Sequence, residues 1–272
     1  MYLVFAAALA VIFGFAARPL MGSKPSSSQY LLLLGTEAIL TIAVIGAALP
    51  MCFLEKRQPG EYGIPAHLAF GILFWQGVLA GLAEVTVLIG LIAAFGGYSF
   101  GSFAVHGHLL VRWLLLWAVF FVTVGFGEEF LFRGYAQFTL GRGLGFWPAA
   151  ILLSIVFGLL HLANPGEGWV GAVSVAFFGL AMCFSLWRTG SLWFAVGLHA
   201  SFDFGESFLY SVPNSGVVLD WHLSNAAMHG PAWLTGGSIG PEGSIFCFLT
   251  TGLLCYLIHR LYPARDRAVQ PS

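Results

Sequence analysis

The sequence predicts an all-α fold, a polytopic membrane bundle of about eight transmembrane helices, and three observations predict it. Hydrophobic residues make up 58% of the 272 and charged residues 8%, against roughly 25% charged in a soluble domain, so polar side chains are too few to cover a globule. Apolar runs of about 20 residues recur along the chain, the length that crosses about 30 Å of hydrocarbon. Neither period-two alternation nor an internal repeat accompanies them, which favours helices over a barrel. The whole of 1–272 therefore reads as one integral membrane domain.

The expected spans follow in order. The first covers about 2 to 17; no basic residue precedes it and its flank "AARPL" only faintly resembles a cleavage site, so a retained helix is expected. The second and third cover about 30 to 54 and 67 to 95, and the fourth about 109 to 138; the third and fourth are long enough to tilt or protrude. Four more follow at about 146 to 163, 169 to 187, 191 to 210 and 244 to 262. The connections are short except for "SSSQ" after the first span and a polar, glycine-rich loop from about 211 to 243.

Charge and cysteine exclude some classes. The net charge of −1 offers nothing to a nucleic acid, so no such partner is expected. Cys52, Cys183, Cys247 and Cys255 lie in apolar runs without paired spacing and read as small buried hydrophobes. Orientation follows from the basic residues, which stay cytoplasmic. With both termini inside, Lys56, Arg57, Arg133, Arg142, Arg188, Arg260, Arg265 and Arg267 are cytoplasmic, leaving Arg18, Lys24 and Arg112 outside. A multi-pass protein of a cell inner membrane is expected.

Ionisable residues within spans are costly and point to function. Glu37 and Glu84 stand alone in their helices and read as packing residues. The stretch "EEFLFR" is different: Glu129 and Arg133 are four apart, share a helix face and can form an ion pair that makes burying both tolerable. Glu128 is then left without an arginine on its face, and a poorly solvated carboxylate can take and return a proton near neutral pH. Taken alone, the stretch also reads as a solvated cytoplasmic helix end. "FGLLH", ending at His161, and "HASFD", with His199 and Asp203 one turn apart, add two imidazoles and a carboxylate from two further spans. At 1.5 Å per residue, Glu128 and Asp203 lie about 20 Å from turns near Gly141 and Gly190, His161 about 24 Å from Gly145 and His199 about 14 Å from Gly190. One layer reached from the cytoplasm is the expectation.

Here the sequence resembles a known family. "EEFLFR" fits EExxxR, "FGLLH" with Phe157 and His161 fits FxxxH, and "SLWFAVGLHASFD" fits HxxxN/D, in the order found in the CPBP intramembrane proteases, which include the CAAX prenyl endopeptidases and bacteriocin-processing or self-immunity proteins. The resemblance covers about 128 to 210, within core helices spanning 109–210. It implies a helical chamber in which Glu128 looks like the general base, His161 and His199 hold the water or a metal, and Asp203 looks like the oxyanion-stabilising residue. Glu129, Arg133 and Phe157 are supporting residues. Many members have asparagine where this chain has Asp203, and an ionised aspartate would repel an oxyanion; Asp203 is then protonated, bound to a metal, or orients His199. Glu206 lies on the same face. Two histidines and a carboxylate suit Zn²⁺ with an open position for water, although no HExxH pair occurs, and His161 and His199 are its expected ligands.

The implied activity is hydrolysis of a peptide bond in a membrane-anchored, including lipidated, peptide or protein, with the lipid bilayer as the other partner. A transporter would carry similar buried groups but also inverted repeats or paired broken helices, which are not found. A non-catalytic membrane scaffold or self-immunity protein with the same fold is the remaining alternative.

Overall fold

The computed structural model describes residues 27–164 and 166–263. The expected first span, about 2 to 17, lies outside them. Within them the chain is a helical membrane bundle. Helix α1 runs Ser27–Glu55, α2 Ile72–Ala94, α3 Gly107–Glu129, α4 Ala136–Leu144, α5 Phe146–His161, α6 Trp169–Thr189, α7 Leu192–Phe204, α8 Ala232–Thr235 and α9 Ile245–Leu261. A π-helical segment, Phe130–Tyr135, joins α3 to α4, and another, Gly205–Leu209, extends α7. Segments of this kind mark local irregularity and are frequent at functional sites.

About eight spans are not confirmed among the described residues. Four stretches of the described residues are long and apolar enough to cross a membrane: Leu33–Glu55, Ile72–Ala94, Gly107–Leu144 and Trp169–Thr189. Phe146–His161 and Ile245–Leu261 are apolar but shorter, and α7 has 13 residues before its π segment. Apolar runs in sequence do not distinguish a helix that meets lipid on most sides from one enclosed by its neighbours. Helix α7 is the enclosed kind, buried from Leu192 to Asp203.

The outer helices show the complementary pattern. Val111, Leu115 and Val119 on α3, Ile151, Ile155 and Leu159 on α5, and Ile245, Leu249 and Leu253 on α9 are all exposed. Each set recurs every fourth residue and so forms a lipid-facing stripe.

Close approach of α2 to α7 depends on small residues. A Cβ on Gly77 would overlap the carbonyl oxygen of Phe194, one on Gly81 that of Leu198, and one on Gly197 that of Phe74. Small residues allow this backbone contact between helices in lipid, where van der Waals packing replaces the hydrophobic drive. Two helix starts are capped by serine: the Ser191 hydroxyl accepts from Trp193 N at 3.3 Å and that of Ser244 from Phe246 N at 3.2 Å. The α4–α5 turn needs Gly145, whose φ is 87°, a conformation open to glycine at little cost. Helix α4 continues to Leu144, so this turn lies past the position near Gly141 expected from sequence.

The two ends of the bundle differ. At one end Glu55 gathers Arg142 Nη2 at 3.0 Å, the Tyr62 hydroxyl at 2.9 Å and the Tyr135 hydroxyl at 2.5 Å, and Arg188 Nη2 donates to the His259 carbonyl at 2.6 Å. At the other end the 211–243 loop folds back over the helices. Its Ala227–Met228 strand, β2, pairs antiparallel with β1, Tyr98–Ser99. Trp221 stacks on Trp113 with centroids 5.0 Å apart, and its carbonyl accepts from Trp117 Nε1 at 3.2 Å. Among the described residues the cysteines are free; Cys52, Cys183 and Cys247 are buried and Cys255 half-buried.

Candidate active site

Five helices, α1, α3, α5, α6 and α7, and the returning loop surround a cavity of about 210 Å³ whose lining includes Glu128, Phe157, His161, His199 and Asp203. The three sequence motifs therefore converge in space. Glu128 projects from the end of α3 with its side chain 26% exposed. Its Oε2 stands 3.7 Å from His199 Nε2, and Asp203 Oδ2 stands 3.5 Å from the same nitrogen.

Glu129 lies about 100° further round the helix and meets the other nitrogen of the same His199 ring. Its Oε1 lies 3.2 Å from Arg133 Nη1 and 2.8 Å from His199 Nδ1. Both members of the Glu129–Arg133 pair are fully buried. Arg133 also lies over the Phe157 ring, 4.3 Å from its centroid, a cation–π contact of the kind that supports a poorly solvated guanidinium. Gly179 leaves room for it, since a Cβ there would overlap Arg133 Nη2. The same Phe157 ring meets His161 edge-on at 4.6 Å and His199 at 6.3 Å.

These contacts set the tautomers. His161 Nδ1 lies 2.8 Å from the Phe157 carbonyl oxygen, which can only accept, so Nδ1 carries the proton and a neutral ring presents Nε2 as an acceptor. His199 Nδ1 faces the Glu129 carboxylate and is likewise the donor. Orientation of His199 through Nδ1 thus belongs to Glu129. Of the roles open to Asp203 in the sequence, orienting the ring from that side is already taken, because Asp203 faces Nε2.

Sequence reasoning missed several lining residues. Glu37, which reads as a solitary packing group, lines this cavity with Glu128. Glu242 enters from the loop before α9; its Oε2 accepts from Ser215 N at 2.5 Å and from Ser215 Oγ at 2.8 Å. The sequence signal for Glu242 was weak, a single acidic residue inside the turn "GPEG". Glu84 does not line the cavity and instead accepts from Thr251 Oγ1 at 2.9 Å. Glu206 is fully buried, and neither of its oxygens has a hydrogen-bond partner among the described residues.

Burial, and after it the charge of Asp203, push the Glu242 carboxyl up to about 8 from its ordinary 4.5. A carboxyl raised in the folded state binds more protons there than in the unfolded chain, so its stabilising contribution is complete below about 4.5 and is lost as pH rises to about 8. Thermal unfolding followed across that range should show stability falling with pH, with a shallower fall in Glu242→Gln. An identical pH profile for the two proteins would show that Glu242 does not titrate in this window.

The cavity lies among loops at one end of the bundle. Asn164, Asn214, Ser215 and Glu242 belong to loops that follow α5 and α7 and precede α9. Those helix ends lie opposite the end that carries Lys56, Arg57, Arg142, Arg188 and Arg260.

A zinc ion would be held through Nε2 of His161 and His199, and both rings have Nδ1 tied to an acceptor, as metal-bound histidines do. Among the described residues, however, no three His, Cys, Asp or Glu side chains form a group that could hold a metal ion. The imidazole tautomers suit a metal, whereas the carboxylates are not gathered around one.

Comparison with known families places this geometry. The model of the type II CAAX prenyl endopeptidase Rce1-like family matches residues 110–205, about a third of the chain and the part that carries all three motifs. No curated protein and no solved structure matches. Over this span the chain is similar to the CPBP membrane endopeptidases that EExxxR, FxxxH and HxxxD resemble.

Proposed function

We propose that the chain is an intramembrane endopeptidase that hydrolyses a peptide bond of a membrane-anchored peptide or protein, with Glu128 as general base. The observation that carries this reading is the convergence of Glu128, His161, His199 and Asp203 on one cavity, with His199 held from behind by the Glu129–Arg133 pair. Water seated between Glu128 and the two Nε2 atoms gives a proton to Glu128 as its oxygen attacks the scissile carbonyl carbon. The carbonyl π electrons move to oxygen, and the resulting oxyanion needs a donor. Asp203, when protonated, and a protonated His199 are the groups placed to supply one. Collapse of the tetrahedral intermediate breaks the C–N bond, and Glu128 returns its proton to the leaving amine. Zn²⁺ on His161 and His199 would polarise the carbonyl and acidify the water when bound. Hydrolysis that survives chelation argues for the metal-free form.

The bilayer supplies the second partner, and an inner-membrane, multi-pass protein with both ends cytoplasmic remains the proposed setting. In that orientation the cavity lies nearer the extracytoplasmic face. The scaffold and self-immunity alternative has no observation in its favour, since a scaffold does not need imidazole tautomers set toward a shared cavity. The test is release of product from a membrane-anchored peptide by the reconstituted protein, with Glu128→Gln as control.

Asp203→Asn separates the roles of that residue. Asparagine donates a hydrogen bond but cannot be an anion, so activity should survive and persist to higher pH if Asp203 is a protonated donor. A loss of about 10- to 100-fold, accompanied by loss of metal, would instead make it a charged partner.

A further inference from the structure

The described lining of the cavity carries four carboxyl groups, Glu37, Glu128, Asp203 and Glu242, and no lysine or arginine. The imidazoles of His161 and His199 are its basic side chains. Arg133, on the segment that follows Glu128, is fully buried and already bound to Glu129, so its charge is committed.

A CAAX-type substrate ends in a free carboxylate a few residues beyond its modified cysteine. In a poorly solvated chamber that group would need a cation or several donors, because an unpaired buried charge is costly and like charges repel. The described lining offers it carboxyl groups instead. A cationic side chain meets the opposite situation.

Two further observations point to a ligand. Ser207 lines the cavity, is 5% exposed, and its hydroxyl has no hydrogen-bond partner among the described residues. Glu242 is fixed through Oε2 by both donors of Ser215, which leaves Oε1 for an incoming group. A carboxyl group oriented in advance loses little freedom on binding, and an arriving cation favours its ionised form, the proton leaving to solvent.

We propose that, if the chamber is proteolytic, it selects a peptide segment that brings a lysine or arginine side chain close to the scissile bond and disfavours one that ends there in a free carboxylate, with Glu242 as the specificity-determining residue. The chamber then accepts an internal, basic stretch of a membrane-anchored chain in preference to a carboxyl terminus of the CAAX kind. Glu128 remains the base, and Glu242 acts on the substrate from the loop side.

The experiment uses the full chain in neutral phosphatidylcholine vesicles with two fluorescent palmitoylated peptides. One carries lysine near the expected cut and an amidated end; the other carries glutamate there and a free carboxylate. Initial binding and product release are measured on the same samples. The lysine peptide should bind at least tenfold tighter, equivalent to about 1.4 kcal/mol. The preference should fall below threefold in Glu242→Gln and persist in Glu242→Asp, which keeps an ionisable carboxyl and controls for loss of fold. Equal or tighter binding of the carboxylate peptide, binding of neither, or an unchanged preference in Glu242→Gln would overturn the proposal. A preference without product from either peptide would uphold charge selection and sink the protease reading. Product from both without a preference would do the reverse.

Discussion

Replacing Glu128 with glutamine should lower peptide hydrolysis by about 10²- to 10⁴-fold, the usual contribution of a positioned general base, while the protein still folds and inserts. Glutamine keeps the shape and can accept a hydrogen bond from water, but it cannot take the proton. Glu128 reaches the cavity with its side chain 26% exposed and no arginine bound to it, so its replacement leaves no buried charge stranded. His161→Ala and His199→Ala should cause comparable losses that do not add to that of Glu128, because the groups act on one water molecule as a unit. Turnover of a membrane-anchored peptide by purified protein in vesicles measures this. Wild-type turnover in Glu128→Gln would remove Glu128 from the mechanism.

The second large effect concerns folding. Arg133→Ala or Glu129→Ala should each destabilise the protein by about 3 to 5 kcal/mol, the cost of leaving one member of a buried pair uncompensated. Neither side chain has any exposure, so water cannot take the partner's place. The double substitution should be milder than either single one in thermal unfolding in detergent. Activity should not return with stability, because His199 Nδ1 still loses the Glu129 oxygen 2.8 Å away. That divergence separates a purely structural pair from one that also positions the imidazole. Unfolding temperatures equal to wild type in all three variants would mean that the pair contributes nothing.

Residues four apart on a helix share a face whatever the rest of the chain does, so the contact between Glu129 and Arg133 was legible from "EEFLFR". The same rule placed His199 beside Asp203, now 3.5 Å apart between Nε2 and Oδ2. Depth followed from the constant rise per residue, which is why three motifs on three helices could be assigned to one layer.

Contacts between helices obey no such local rule. Which nitrogen of His199 meets which carboxylate depends on how α7 is rotated against α3, which it approaches closely at Gly125, and on how α2 packs against α7 at Gly77 and Gly81. Glu37 looked solitary because the helix that carries it has no other ionisable residue at that depth, yet packing brings it to the cavity of Glu128.

The sequence by itself determined that this chain is an apolar helical bundle suited to a bilayer and that Glu129 pairs with Arg133, because composition and helical period act over short distances along one strand of chain. Only the tertiary structure decided that Glu129 holds His199, that the 211–243 loop covers the cavity and that Ser215 and Glu242 approach it from there. It also placed the cavity toward the end away from the basic turns. A loop's path is set by what it packs against, here Trp113, Trp117 and the 98–102 segment, all more than a hundred residues earlier in the chain.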